Sequence, residues 1–295
     1  MFEGLSVAMV TPFKNGAIDY TAVSNLVEFM IEGGVQGLVV SGSTGEAATT
    51  SFDEKRELWK FVKAQAKGRA WMVVGTGTND TAQSVGITKL AEECGADGAL
   101  VVTPYYNKPT PKGQIAHFTA VAKSTKLPII VYNVPGRTGT NTLPGTIAQL
   151  QDLANVVAVK EASGSVDQMS QVKQQSRFTL LSGDDSLTLP VIAVGGEGII
   201  SVVGQMVPRE MRALTDAARA GRMSEAQAMH DKLAPIFKAA FIESNPSPTK
   251  FLLSRMGICA NELRLPLVPV EPSSETAILA AAEKVGVKLA SAVYA

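Results

Sequence analysis

A closed parallel (β/α)8 barrel followed by a C-terminal helical extension is the fold class that this 295-residue sequence predicts, and three observations carry the prediction. Eight short runs rich in Val, Ile and Leu begin near Leu5, Gly37, Trp71, Gly98, Pro128, Val156, Phe178 and Gly198, each followed by a stretch of helical periodicity. The steps between them, roughly 20 to 35 residues, fit one strand plus one crossover helix, and the runs are apolar without alternation, as strands covered on both faces must be. The first turn from strand to helix, Val10-Thr11-Pro12-Phe13, has no glycine-rich dinucleotide fingerprint, which an open doubly wound sheet would be expected to carry.

Local signals agree with this alternation. Ser51 and Glu54 form a capping box ahead of the helix that runs through Trp59 to Lys67. Gly68 and Gly95 stand where helices call for a left-handed residue at their ends. The barrel is expected over residues 1–222. Beyond it, Ser224 to Phe241, Pro248 to Met256 and Thr276 to Leu289 read as helices of a C-terminal region, 223–295, interrupted by Asn245-Pro246-Ser247-Pro248 and Leu265-Pro266. No low-complexity linker separates the two parts, so independent motion is not expected.

Composition excludes several function classes. Twenty-seven basic and 27 acidic residues cancel, and a pI near 6.8 gives no footprint for nucleic acid. Cys94 and Cys259 stand alone and His117 and His230 are the only histidines, so neither a disulfide framework nor a zinc site is expected. The start, Met1-Phe2-Glu3-Gly4, lacks a basic segment with an apolar core, and no apolar run approaches the ~20 residues of a membrane span. A cytoplasmic protein without membrane partners is the expectation.

In a parallel barrel the chemistry gathers at the carboxyl ends of the strands. The turns preceding the strands, such as Glu32-Gly33-Gly34 and Gly95-Ala96-Asp97, are bland, whereas the turns following them are crowded. They read Gly42-Ser43-Thr44-Gly45-Glu46, Gly75-Thr76-Gly77, Thr103-Pro104-Tyr105-Tyr106-Asn107, Tyr132-Asn133-Val134-Pro135-Gly136-Arg137, Lys160-Glu161 and Ser182-Gly183-Asp184-Asp185. Lys160 ends an apolar strand, so its amine belongs at the barrel mouth. Desolvation there would favour a neutral amine able to form a Schiff base with a ketone, unless the side chain simply pairs with Glu161 or leaves into solvent. Tyr132 closes the fifth strand, either as an acid and base beside an imine or as an ordinary interior phenol. The Ser43-Thr44 turn suits a carboxylate or is a plain connector, and Arg137 either grips a second carboxylate or is a surface charge. Asp184 and Asp185 offer a magnesium site or a general-base pair, but with no acidic cluster beside them they read first as capping or loop residues, and two acids there disfavour a sugar phosphate. Gly75-Thr76-Gly77 reads as a structural turn, and both histidines fall on helices.

Taken together, Gly42-Ser43-Thr44-Gly45-Glu46, Thr103-Pro104-Tyr105-Tyr106-Asn107-Lys108-Pro109, Tyr132-Asn133-Val134-Pro135-Gly136-Arg137-Thr138-Gly139 and Val159-Lys160-Glu161-Ala162 resemble the dihydrodipicolinate synthase family. The resemblance continues through Leu181-Ser182-Gly183-Asp184-Asp185 and Asn245-Pro246, and so spans nearly the whole chain. It implies a TIM barrel and a condensation in which Lys160 forms an imine with pyruvate and the resulting enamine attacks aspartate semialdehyde. It also implies that Tyr132 moves protons in a hydroxyl relay with Ser43 and with Tyr106 of a neighbouring subunit, and that Thr44 holds the pyruvate carboxylate. Arg137 would engage the semialdehyde carboxylate, and Gly183 and Ile200 would line the pocket. No metal or organic cofactor is implied, and the implied assembly is a homotetramer built as a dimer of dimers.

Two departures qualify that resemblance. Position 43 is Ser where these synthases usually carry Thr, and Gly-Ser-Thr-Gly-Glu also suits related pyruvate lyases, such as N-acetylneuraminate lyase and keto-deoxy-sugar-acid aldolases. Arg137 favours the synthases. A keto-acid-binding regulatory barrel is the non-enzymatic alternative. Where lysine-inhibited members carry histidine and glutamate, this chain has Phe52, Lys55 and Gln83, so weak or absent inhibition by lysine is expected.

Overall fold

The computed structural model describes residues 1–290; the last five residues of the C-terminal region drawn from sequence, 291–295, lie outside it. The eight expected runs are strands: β1 (Gly4–Ala8), β2 (Gly37–Val40), β3 (Trp71–Gly75), β4 (Gly98–Val102), β5 (Ile129–Asn133), β6 (Val156–Glu161), β7 (Thr179–Ser182) and β8 (Gly198–Ser201). Each pairs in parallel with its neighbours in sequence, and β1 closes the barrel on β8 through Gly4 opposite Gly198 and Leu5 opposite Ile199.

Strand periodicity divides the apolar residues between two packing surfaces. Leu38, Val40, Met72, Val74, Val131, Val159 and Ile199 join the core between sheet and helices. Their neighbours Val39, Val73, Ile130, Ala158, Leu181 and Ile200 fill the barrel interior. Both faces are therefore buried, which is why these runs carry no alternation in the sequence.

The helical shell follows the local signals. Ser51 Oγ accepts from the Glu54 amide while the Glu54 carboxylate accepts from the Ser51 amide, closing the capping box of the helix Phe52–Ala66. Gly95 follows the helix Thr81–Glu93 in the left-handed region, at φ 75°. At Gly68 the left-handed turn starts one residue early, with Lys67 at φ 49°. A hairpin of Phe13–Lys14 and Ala17–Ile18 that the strand pattern did not predict interrupts the first βα connection. After β5 the crossover is two short pieces, Pro135–Thr138 and Pro144–Ala148, because prolines start each of them.

The C-terminal helices are Met223–Ala239, Ser247–Arg255 and Pro272–Val285. The last begins earlier than Thr276, with Pro272 in its first turn, and stops before Gly286 rather than at Leu289. Their Leu233, Phe237, Leu252 and Ile278 share one continuous core with the helical shell. Lys250, fully buried, ties them to the loop after β2: its ammonium pairs with Glu46, donates to Glu262 O at 2.7 Å and lies 4.2 Å from the Phe13 ring centroid. An unpaired charge there would cost several kcal/mol, so the pair fixes that loop to the C-terminal region.

Candidate active site

Strand alternation decides where the lysine goes. Val159 faces the helical shell and Ala158 the barrel interior, so Lys160 turns inward at the carboxyl end of β6, directly opposite Tyr132 of β5. Its side chain is 5% exposed and its ammonium lies 4.3 Å from the Tyr132 ring centroid. No salt bridge engages it among the described residues. Glu161 turns the other way, accepting from Asn133 Nδ2 at 3.0 Å, the Ser163 amide at 2.7 Å and Gln168 Nε2 at 3.2 Å. The pairing of Lys160 with its neighbouring acid is therefore absent, as the period of two requires.

Burial pushes the Lys160 amine down from 10.5 to about 8; Asp184 and Asp185 oppose that shift and Arg137 adds to it. A nucleophilic neutral amine is thus accessible near neutral pH. Burial pushes the Tyr132 phenol up to about 12, so it keeps its proton and stands as a donor beside the amine.

A small cavity of about 60 Å³, room for a few water-sized groups, is lined by Lys160, Tyr132, Ser43, Thr44, Arg137, Gly183, Asp184 and Asn245. Thr44 is buried, and Asn245 Nδ2 donates to its Oγ1 at 2.9 Å. With one acceptor position taken, the Thr44 hydroxyl keeps its proton free to donate to an anionic group. The main-chain carbonyl of Asn245 accepts from Arg137 Nη2 at 3.3 Å, so this residue touches both carboxylate-binding candidates, Thr44 with its side chain and Arg137 with its backbone. The sequence marks Asn245 as a helix break and as part of the family resemblance but assigns it no role; its partner Thr44 is 201 residues away, and no local pattern announces such a contact.

Gly183 is required by close approach. A Cβ there would meet Ala162 Cβ at 2.6 Å, Glu161 O at 3.1 Å and Lys160 Cε at 3.2 Å. The two acids that follow have different environments. Asp185 is buried and accepts from Ser201 Oγ and from the Val202 amide at 3.0 Å, which makes it a loop anchor; burial raises its pKa to about 6. Asp184, expected in the same role, instead lines the cavity. Ile200 lines neither this cavity nor the larger one described below, and packs within the barrel interior.

Ser43 and Arg137 reach the cavity from its exposed rim. Tyr106 does not: it is 87% exposed, at φ 71° in the loop after β4, and lines neither cavity. Within one chain, Tyr106 therefore does not join Ser43 and Tyr132 at the cavity. A larger cavity of about 650 Å³ shares Ser43, Tyr132 and Arg137 and extends to Phe52, Lys55 and Gln83. Lys55 donates there to Ala47 O at 2.8 Å and to Thr50 O, and burial lowers its pKa to about 8.

The remaining candidates stay structural. Gly75 and Gly77 permit close backbone contacts, since a Cβ would meet Ser41 O at 2.1 Å and Val102 N at 2.4 Å respectively. His117 is buried on the helix Pro111–Lys123, 3.0 Å from Thr81 Oγ1, and burial lowers its pKa to about 4. Among the described residues no group of three or more His, Cys, Asp or Glu could hold a metal, and no helix is long and apolar enough to cross a membrane.

A desolvated lysine facing a phenol at the mouth of a closed parallel barrel defines a class of protein that acts on carbonyl compounds through an amine. The model of the dihydrodipicolinate synthetase family matches residues 1–285, and the chain belongs to that family. It is 50% identical over 272 residues to the 4-hydroxy-tetrahydrodipicolinate synthase of Citrifermentans bemidjiense, covering 92% of this chain and 94% of that one. Among solved structures, dihydrodipicolinate synthase from Aquifex aeolicus superposes with a TM-score of 0.96 at 42% identity, covering 98% of this chain and 99% of that one. A monomeric dihydrodipicolinate synthase variant also superposes at 0.96, with 41% identity over 97% of this chain and 98% of that one.

Proposed function

We propose that this protein is a 4-hydroxy-tetrahydrodipicolinate synthase of lysine and diaminopimelate biosynthesis, a Schiff-base-forming lyase that condenses pyruvate with aspartate semialdehyde. The observation that carries the reading is the Lys160 amine, buried against Tyr132 and depressed to about 8, in a chain closely similar along its length to proteins bearing that name. The neutral amine adds to the ketone of pyruvate, and loss of water leaves a protonated imine. Loss of a proton from the methyl carbon gives an enamine, whose carbon attacks the aldehyde. The amino group of the second substrate then displaces Lys160 as the ring closes, regenerating the amine.

The residues divide this work. Tyr132 carries protons to and from the carbinolamine, with Ser43 and a neighbouring subunit's copy of Tyr106 completing the relay. Thr44, oriented by Asn245, binds the pyruvate carboxylate, and Arg137 binds the carboxylate of the semialdehyde. Gly183 leaves room for the lysine stem. Exposure of Tyr106 supports an assembly of at least a dimer, and a homotetramer in the cytoplasm is the reading we adopt.

A coupled assay with pyruvate and aspartate semialdehyde tests this directly. Turnover that disappears in Lys160→Ala is expected; cleavage of N-acetylneuraminate or a keto-deoxy-sugar acid without activity on the semialdehyde would overturn it.

A further inference from the structure

Two neighbouring acids, Asp184 and Asp185, follow β7 and are held differently. Asp185 spends its carboxylate on Ser201 and on the amides of Val202 and Val203. The Asp184 side chain accepts no hydrogen bond among the described residues: the bonds of this residue use its backbone, with its carbonyl accepting from Ser182 Oγ at 2.8 Å and its amide donating to that oxygen at 3.3 Å. Ser182 thereby fixes the turn while leaving the carboxylate free.

Asp184 is the sole acidic residue among those lining the 60 Å³ cavity, which Lys160 also lines. It follows Gly183, whose backbone lies so close to the lysine that an added Cβ would stand 3.2 Å from Lys160 Cε. The other charged groups acting on the amine are Arg137, from the loop after β5, and the anchored Asp185; Tyr132 faces it as an uncharged phenol. Glu161 points away into its own amide network.

Resting on the Schiff-base reading, we infer that Asp184 is the counter-charge for the positive nitrogen that Lys160 carries once its imine with pyruvate has formed. In the step concerned, the amine and the ketone carbon form a C–N bond, the carbonyl oxygen leaves as water, and the proton taken up stays with the system as the iminium charge. That charge develops in a desolvated barrel mouth beside the Arg137 guanidinium, and the carboxylate that pyruvate itself brings is committed to Thr44 in the reading above. A carboxylate carried on a turn that Ser182 holds in place can stabilise the charge where it develops. Burial raises the Asp184 carboxyl above its ordinary range and Lys160 opposes that rise, just as Asp184 opposes the fall that burial imposes on the Lys160 amine.

The test measures kcat/KM for pyruvate across pH, together with borohydride trapping of the pyruvate adduct, in wild type, Asp184→Asn and Asp184→Glu. Asp184→Asn is expected to lower the plateau of kcat/KM for pyruvate by about tenfold. It should also shift the acid limb of the profile to lower pH, because the anion that raised the amine's pKa is gone. Asp184→Glu should restore much of both, and melting temperatures should stay close to wild type because no side-chain hydrogen bond is lost. An unchanged limb and plateau, a loss confined to kcat/KM for the aldehyde, or a loss that tracks a lowered melting temperature would overturn the assignment. Wild-type protein that traps no pyruvate would overturn the Schiff-base reading, and this inference with it.

Discussion

Replacing Gly183 with Ala places one methyl group against the stem of the lysine. The added carbon would stand 2.6 Å from Ala162 Cβ and 3.2 Å from Lys160 Cε, where ordinary carbon contacts are about 3.5 to 4.0 Å. Relief requires movement on the order of 1 Å, and Glu161 O at 3.1 Å blocks one direction because it belongs to the β6 backbone. Overpacking of this size costs about 1–3 kcal/mol of stability, a fall of only several degrees in Tm for a chain this long. The catalytic cost is larger, since a displacement of about 1 Å at a reacting group lowers rate by about 100-fold. Steady-state kcat/KM for pyruvate and a thermal melt measure both. Adding Ala162→Gly removes the 2.6 Å contact and should recover part of the activity. Near-wild-type kcat/KM in Gly183→Ala would refute the claim that this turn packs on the lysine.

Three further outcomes are expected. Lys160 titrates at about 8 instead of 10.5, which raises its neutral fraction at pH 7 by about 300-fold. Since only the neutral amine attacks, trapping of pyruvate should climb about tenfold per pH unit below that value and level off above it; a profile still climbing past pH 10 would contradict the depressed pKa. Asn245→Ala should raise KM for pyruvate by about tenfold, as Thr44 loses its orienting donor. Asn245→Asp should do at least as much harm, because a carboxylate would draw the Thr44 proton away from the substrate; equal KM values in all three proteins would dismiss the role of Asn245. Lysine titration should show little inhibition, because Lys55 places its own ammonium in the larger cavity near Phe52 and Gln83; half-loss of activity at sub-millimolar lysine would refute this.

The barrel was legible because its strands are short apolar runs with glycine or proline at several of their boundaries, a signal that survives without tertiary context. The hairpin was missed although Asn15-Gly16, at φ 54° and 79°, is a strong two-residue turn signal between Phe13 and Ile18. The end of the last helix was misplaced because Pro272 and Gly286, its own start and stop signals, were outweighed by apolar periodicity. At the site, strand position alone placed Lys160 and Tyr132 on adjoining strands, and alternation decides that Lys160 faces the barrel while Glu161 does not. Asn245 and the division of labour between Asp184 and Asp185 were illegible for another reason. They depend on which carboxylate finds backbone amides and which side chain crosses from the C-terminal region, and only the assembled barrel determines that. Tyr106 marks the same limit between chains, since its exposure in one chain leaves its partner unspecified.

In the proposed reaction an uncharged amine at position 160 joins covalently to pyruvate. Incubation with pyruvate, borohydride reduction and peptide mass spectrometry read it out directly. The reduced pyruvate adduct is expected on the peptide containing Lys160 and to vanish in Lys160→Ala; an unmodified Lys160 in folded wild-type protein, or an adduct on Lys250 or Lys55 instead, would contradict it.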